Sequence, residues 1–250
     1  MDLGLRGRRA LVSGATQGIG RAVTDALAAE GTDLFLVARD AERLALTAKQ
    51  VRAEFGVRCD WHSADFSVPG EAGAAAEVCG PVDVVVNNAG RSHPATLETE
   101  AGEWAASQQL NFLSHLEVIR TVLPGMRERG WGRIVNVTGA AYRAPLQLNS
   151  GTIAKYGLVN AAKNLAREVA QSGVTVNTVT VGFIDSHQMG SIHYAEAEHR
   201  QQIVDRLIPM GRFGLPREVA AAAAFLASDR ASYVTGSTVT VDGGADPTLL

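Results

Sequence analysis

"RRALVSGATQGIGRAVTDALAAEG", residues 8–31, is the stretch that decides the fold. Its first part, 8–13, is a short apolar run that turns at Gly14. Its second part, 20–31, sets Val23 and Leu27 at helical spacing and closes on Gly31. A strand that passes through a glycine-rich turn straight into a helix opens a β-α-β unit. Gly14, Gly18 and Gly20 let the backbone approach a ligand closely. The helix start behind them offers unpaired N–H groups and a partial positive charge, which suits a phosphate.

The same alternation repeats outward from this turn. Strands are predicted over 33–39, 57–65, 82–90, 132–139, 174–182 and 238–244. Helices are predicted over 40–56, about 101–129, about 151–172 and about 216–228, the first of these with Asp40 as its N-cap. The run "VDVVVNN" is apolar until its end, as a strand covered on both faces should be. Strand–helix alternation at this spacing predicts an α/β fold: about seven parallel strands, doubly wound, with helices on both faces. No linker, repeat or low-complexity stretch divides residues 1–250, so a single domain is expected.

Composition narrows the partners. The net charge of −3 gives no electrostatic reason to expect nucleic acid or an anionic membrane. No apolar run approaches the roughly 20 residues needed to span a bilayer. The first residues read as part of a strand rather than a signal peptide, and Cys59 and Cys79 lack metal-ligand spacing. These features predict a cytoplasmic protein with two reduced thiols.

Further motifs follow in order: "SGATQGIG" (13–20), "NNAG" (87–90), "LN" (110–111), "GRIVNV" (132–137), "VTVNTVTVGFIDS" (174–186) and the run 214–244. Together they resemble the short-chain dehydrogenase/reductase family over nearly the whole chain. Ser13 stands for the family's threonine, Val181 for its proline and Ser186 for a threonine. The resemblance implies a Rossmann-type fold and a nicotinamide cofactor. The cofactor would be held by Gly14, Thr16, Gln17, Gly18, Ile19, Gly20, Asp65, Phe66, Asn88, Ala89, Gly90, Lys155, Gly182, Ile184 and Ser186. At the end of the second strand, the place of the acidic residue that selects NAD is Ala38, and Arg39 follows. A guanidinium there suits a 2′-phosphate, so NADP is expected over NAD.

The resemblance also implies hydride exchange with a small-molecule carbonyl or alcohol, served by an asparagine, a serine, a tyrosine and a lysine. Asn111 and Lys155 match two of the four. The tyrosine position is Gly151, and the serine position is Gly139 with Thr138 beside it. Tyr156 and Lys163 offer a Y-x6-K alternative. Lys163, however, lies two turns further along the helix, about 12 Å from the site at ~1.5 Å per residue. Substitute donors within reach are Tyr142, His93, Ser150 (or a plain helix cap) and Lys155 acting through water. A nucleotide-binding scaffold and a non-redox enzyme are the competing readings.

Residues 187–213 are expected to close over the substrate as a lid, with His187, Met189, His193, Tyr194, His199, Ile203, Leu207 and Met210. The spacing of the three histidines does not suit a metal, and none is expected. The family resemblance further implies a homo-oligomer, a tetramer or a dimer, built on the long helices and the last strand. "AAAAAF" (220–225) is a close-packing face in the core or at an interface.

Overall fold

A computed structural model describes residues 2–92, 94–139, 148–186 and 197–248. Seven strands form one parallel sheet: β1 (Arg9–Ser13), β2 (Asp33–Ala38), β3 (Cys59–Ser63), β4 (Val84–Asn87), β5 (Gly132–Gly139), β6 (Val174–Val181) and β7 (Thr238–Val241). Their order is β3-β2-β1-β4-β5-β6-β7. The order reverses between β1 and β4, and the carboxyl edge at such a reversal is where open α/β sheets hold ligands.

Among the described residues the helices are α1 (Gly18–Ala29), α2 (Ala41–Phe55), α3 (Glu71–Cys79), α4 (Ala101–Gln108), α5 (Ser114–Glu128), α6 (Ser150–Val169), α7 (Ala197–Leu207) and α8 (Pro216–Ala227), which cover the two faces. One core unites α1, α2 and α8, with Val23, Leu27, Ala220, Ala223 and Ala224 packed beneath β1 and β5. Ala220, Ala223 and Ala224 of the alanine run therefore face the monomer core and let α8 lie close to α1, while Ala221 and Phe225 of the same run are exposed. The second core unites α3, α5 and α6 through Ala75, Ala76, Ile119, Met126, Ala162 and Ala166. Val84, Val85 and Val86 are fully buried, which explains why β4 does not alternate.

Several boundaries differ from the sequence reading. The third strand is five residues long instead of covering 57–65. Register with β2 runs from Leu34↔Cys59 to Ala38↔Ser63, and Arg58 N donates to the Asp33 side chain instead. The fourth strand ends at Asn87, because Asn88 turns its amide side chain toward β1. The last strand ends at Val241, where Asp242 accepts from Gly244 N and Asp246 N to make a turn. Helix α3 was not foreseen. The long helix predicted over 101–129 is interrupted by a π-helical segment, Gln109–Leu113, between α4 and α5.

Asp40 caps α2 as expected, accepting from Arg43 N. Ser150 is not the cap of α6. Asn149 is, its side chain accepting from Thr152 N, and Ser150 is the first, buried residue of the helix. Burial raises both thiols, Cys59 and Cys79, to about 12, which leaves them unreactive. No helix among the described residues is long and apolar enough to cross a membrane.

Candidate functional site

The site grows from the carboxyl ends of β1, β4 and β5. Ser13 closes β1 and ties two strands together: its Oγ donates to Val86 O at 3.4 Å and accepts from Asn88 N and Ala89 N, both at 3.0 Å. Asn88 Nδ2 returns the contact, donating to Ser13 O at 3.1 Å and Gly14 O at 3.3 Å. A hydroxyl is therefore needed at 13, and serine supplies it as threonine would.

The glycine turn then crosses to α1. Gly14 has φ +66°, and a Cβ on Gly20 would collide with Gly14 O and come within 2.5 Å of Asn88 Nδ2. Helix α1 starts with no side-chain cap at Gln17 and no acidic residue in its first turn. Its leading N–H groups are thus left to an external acceptor. Ser186 lies over this start: a Cβ on Gly18 would sit 3.5 Å from Ser186 Cβ. Thr16 and Gln17 lie at the surface end of the turn, while Ile19 packs back onto the core. Gly182 abuts Asp242, and Ile184 is buried and paired with Gly214.

Arg39 is exposed just past β2, and Ser63 Oγ donates to its carbonyl at 2.7 Å. Sequence reasoning missed Arg43. From the first turn of α2 it donates to Gln17 Oε1 at 3.2 Å and pairs with Asp40 at 3.2 Å. A basic residue three places after a capping aspartate was the available signal. Asp65 is engaged in a turn, its Oδ1 accepting from Ser67 N and Ser67 Oγ. Partial burial raises its pKa, but the two Ser67 hydrogen bonds and the charge of Arg39 outweigh that and hold it below the ordinary carboxylate value. Phe66 is a core residue, stacked edge-on against His115.

Lys155 lies in the second turn of α6. Its stem keeps some exposure while its ammonium end lies in the interior. Nζ donates to Ala89 O and Val137 O, both at 3.1 Å, and stands 3.4 Å from His115 Nε2. Burial alone lowers its pKa to about 7. A Cβ at Gly90 would fall 2.7 Å from Asn111 Oδ1 and 2.8 Å from Lys155 Nζ, so a glycine is what lets these two side chains converge. Asn111 sits in the π-helical segment, fully buried. Its Oδ1 accepts from Arg91 N at 2.9 Å and its Nδ2 donates to Ser107 O at 3.1 Å. Such segments recur where a helix must re-aim backbone at a functional site.

The remaining candidates divide. Thr138 is buried and its Oγ1 has no partner among the described residues, so its hydroxyl is enclosed rather than presented at the open edge. Gly139 is exposed, and a Cβ there would meet nothing within 4 Å. Gly151 is buried in the first turn of α6, four residues before Lys155. Lys163 is elsewhere, donating to Gly236 O at 2.9 Å, and Tyr156 is 55% exposed. His93, Tyr142, His187, Met189, His193 and Tyr194 lie outside the described residues. In the described part of the expected lid, α7 rests on a small apolar cluster of Ile203, Ile208 and Phe213. His199 and Met210 are exposed, and Leu207 packs at the cluster's margin. No group of three metal-binding side chains occurs among the described residues.

The fold and this edge define a doubly wound α/β protein with a glycine-lined helix start and a buried lysine facing each other across the sheet reversal. A family model described as enoyl-(acyl carrier protein) reductase matches residues 14–246. The D-beta-hydroxybutyrate dehydrogenase of Cupriavidus necator is 35% identical, covering 96% of this chain and 98% of that protein. The 3-oxoacyl-(acyl-carrier-protein) reductase FabG of Aquifex aeolicus is 33% identical, covering 98% and 99%. The crystal structure of L-sorbose reductase from Gluconobacter frateurii, complexed with NADPH and L-sorbose, superposes with a TM-score of 0.93 at 32% identity over 100% of both chains. The chain belongs to the short-chain dehydrogenase/reductase family.

Proposed function

We propose that this chain is an NADP(H)-dependent carbonyl reductase or alcohol dehydrogenase in which Lys155, rather than a tyrosine, handles the proton. The fit to a dinucleotide rests on the uncapped start of α1 behind Gly14 and Gly20, which a Cβ would fill. Preference for NADP(H) is supported by Arg39 and Arg43 at the end of β2, by Ala38 in the acidic position, and by Asp40 being occupied as a cap. The bound nicotinamide supplies or accepts the hydride. Structures of relatives that hold NADPH or NADP support the same choice.

The observation that carries the reading is the Lys155 amine. It is enclosed at the carboxyl edge, fixed by Ala89 O and Val137 O, with no phenol in the turn before it. A pKa near operating pH is what a general acid and base needs. In reduction, Lys155 gives a proton to the carbonyl oxygen as the carbon is reduced. In oxidation it takes the alcohol proton. Gly151 sets no side chain one turn before the amine. Asn111 holds the Arg91 backbone and with it the wall that faces Lys155.

The names of the relatives, a 3-oxoacyl reductase and a sugar reductase, make 3-oxoacyl thioesters and polyhydroxy ketones the first substrates to try. NADPH consumption with such ketones, abolished in Lys155→Met, is the expected result. Absence of turnover across both classes, with NADPH bound, would refute it. The reading includes assembly as a dimer or tetramer. The apolar groove between α5 and α6, lined by Leu116, Ile119, Leu123, Leu158 and Leu165, supports that part, which light scattering tests.

A further inference from the structure

His115 has no part in the chemistry described so far, yet it is fully buried beside Lys155. It lies one turn after Asn111, on the side of α5 that faces α6. A lysine ammonium has three N–H donors. Here three acceptors surround it: Ala89 O, Val137 O and His115 Nε2. Two are carbonyls that can only accept. The third is the one whose role changes with its tautomer. Nδ1, the other ring nitrogen, is buried with no partner among the described residues, so no bond holds a hydrogen there, while the Ala89 backbone bonds the ring.

We propose that His115 is a positioning residue for Lys155, coupled to it through one shared hydrogen: imidazole Nε2 accepts from the ammonium, and donates to the amine once the lysine has lost its proton. The catalytic part of this inference rests on the reductase reading; the pairing itself does not. The proton balance is simple. Hydride adds to the carbonyl carbon, the C=O π pair moves to oxygen, and the Nζ proton forms the new O–H. Neutral Lys155 is left with two N–H groups on Ala89 O and Val137 O and a lone pair toward Nε2. Solvent water then protonates Nε2 while the proton on Nδ1 returns to solvent, and the reverse exchange accompanies the proton that restores the ammonium.

The electrostatics around the pair support this order. Burial, then the charge of Lys155, push the imidazole well below its ordinary pKa, against a smaller opposing contribution from the Ala89 backbone. Among the described residues the charge acting on His115 is Lys155, and the cause acting on Lys155 is burial. No carboxylate contributes to either. The imidazole also meets the Phe66 ring edge-on, with centroids 6.4 Å apart. The ring therefore stays neutral and can answer the lysine only by changing tautomer.

The first test needs neither cofactor nor turnover. Long-range 1H–15N correlation of the imidazoles in the cofactor-free protein, from about pH 5 to about 9, should find His115 neutral throughout, changing from the Nδ1–H to the Nε2–H form with a midpoint near the Lys155 pKa. A single tautomer across the range, or ordinary protonation near 6.5, would overturn the pairing. The second test reads the pH profile of NADPH-dependent reduction. Loss of a hydrogen bond to a charged group should move the falling limb of His115→Leu about one pH unit toward acid, and His115→Gln should restore it. An unmoved limb in His115→Leu would mean that the imidazole only fills space. If the wild-type protein binds NADPH and reduces nothing, the reductase reading falls, and the tautomer measurement still decides the pairing.

Discussion

Replacing Lys155 with methionine should change how stability depends on pH. In the folded chain the lysine pKa is lowered to about 7 from an ordinary 10.5. Between those values the unfolded chain holds a proton that the folded chain lacks, so the lysine makes stability rise with pH across this window. At pH 7 its net contribution is unfavourable by about 4 kcal/mol, and at pH 9 by about 2 kcal/mol, at ~1.36 kcal/mol per pKa unit. The loss of hydrogen bonds to Ala89 O and Val137 O is the same at both pH values and cancels in the comparison. From pH 7 to pH 9 the wild-type protein should therefore gain about 2 kcal/mol over Lys155→Met. Equilibrium urea unfolding of the two cofactor-free proteins at the two pH values measures this double difference. Parallel pH dependences would mean that Lys155 titrates normally in the fold, and the proton-handling role built on its burial would fail.

Other outcomes follow from the same geometry. Gly151→Tyr places a phenol one turn before Lys155 and should raise carbonyl reduction, by as much as the 10²–10⁴ that a positioned acid typically contributes; steady-state kinetics with matched ketones checks it. Arg39→Ala should weaken NADPH binding about tenfold while sparing NADH, because it removes a phosphate partner worth ~1–2 kcal/mol, a change that fluorescence titration reads. Gly90→Ala should displace Lys155 or Asn111, lowering turnover at least tenfold and shifting the pH profile, since a Cβ would stand 2.8 Å from Nζ. The reductive pH profile of the wild-type protein should fall above about pH 7, as Lys155 loses the proton it must donate.

The parts of the fold that were legible are those where local chemistry and packing agree. The glycine turn at 14–20 could only be a close backbone approach, and Gly14 and Gly20 are constrained by Asn88 and by each other. Asp40 was readable as a cap because its side chain bonds three residues ahead. Helix α3 was not readable: "EAGAAAEVC" begins after Gly70 with no side-chain cap and offers alanines on every side, so no apolar period marks it. The π-helical segment at Gln109–Leu113 has no residue of its own that marks it in the sequence, and its buried Asn111 bonds to Arg91 N far away along the chain. Asn149 and Ser150 are both good caps, and only the hydrogen bond to Thr152 N separates them.

The candidate site divides the same way. Lys155 and Asn111 were named from the family resemblance, where each matches a motif position. His115 and Arg43 were not, because a lone histidine on a helix and an arginine near a cap carry no pattern; what gives them meaning is the side chain across from each. Thr138 is a different case. Its type suited a substrate contact, but strand alternation turns it into the interior and leaves Gly139 at the edge.

The measurement that bears most directly on the whole proposal is a calorimetric titration of the cofactor-stripped protein with NADPH and, separately, NADH. Binding of NADPH in the micromolar range, tighter than NADH, is the predicted result, since the uncapped start of α1 and Arg39 would each meet a phosphate. Failure to bind either dinucleotide would contradict it, leaving Lys155 a buried amine with no redox partner.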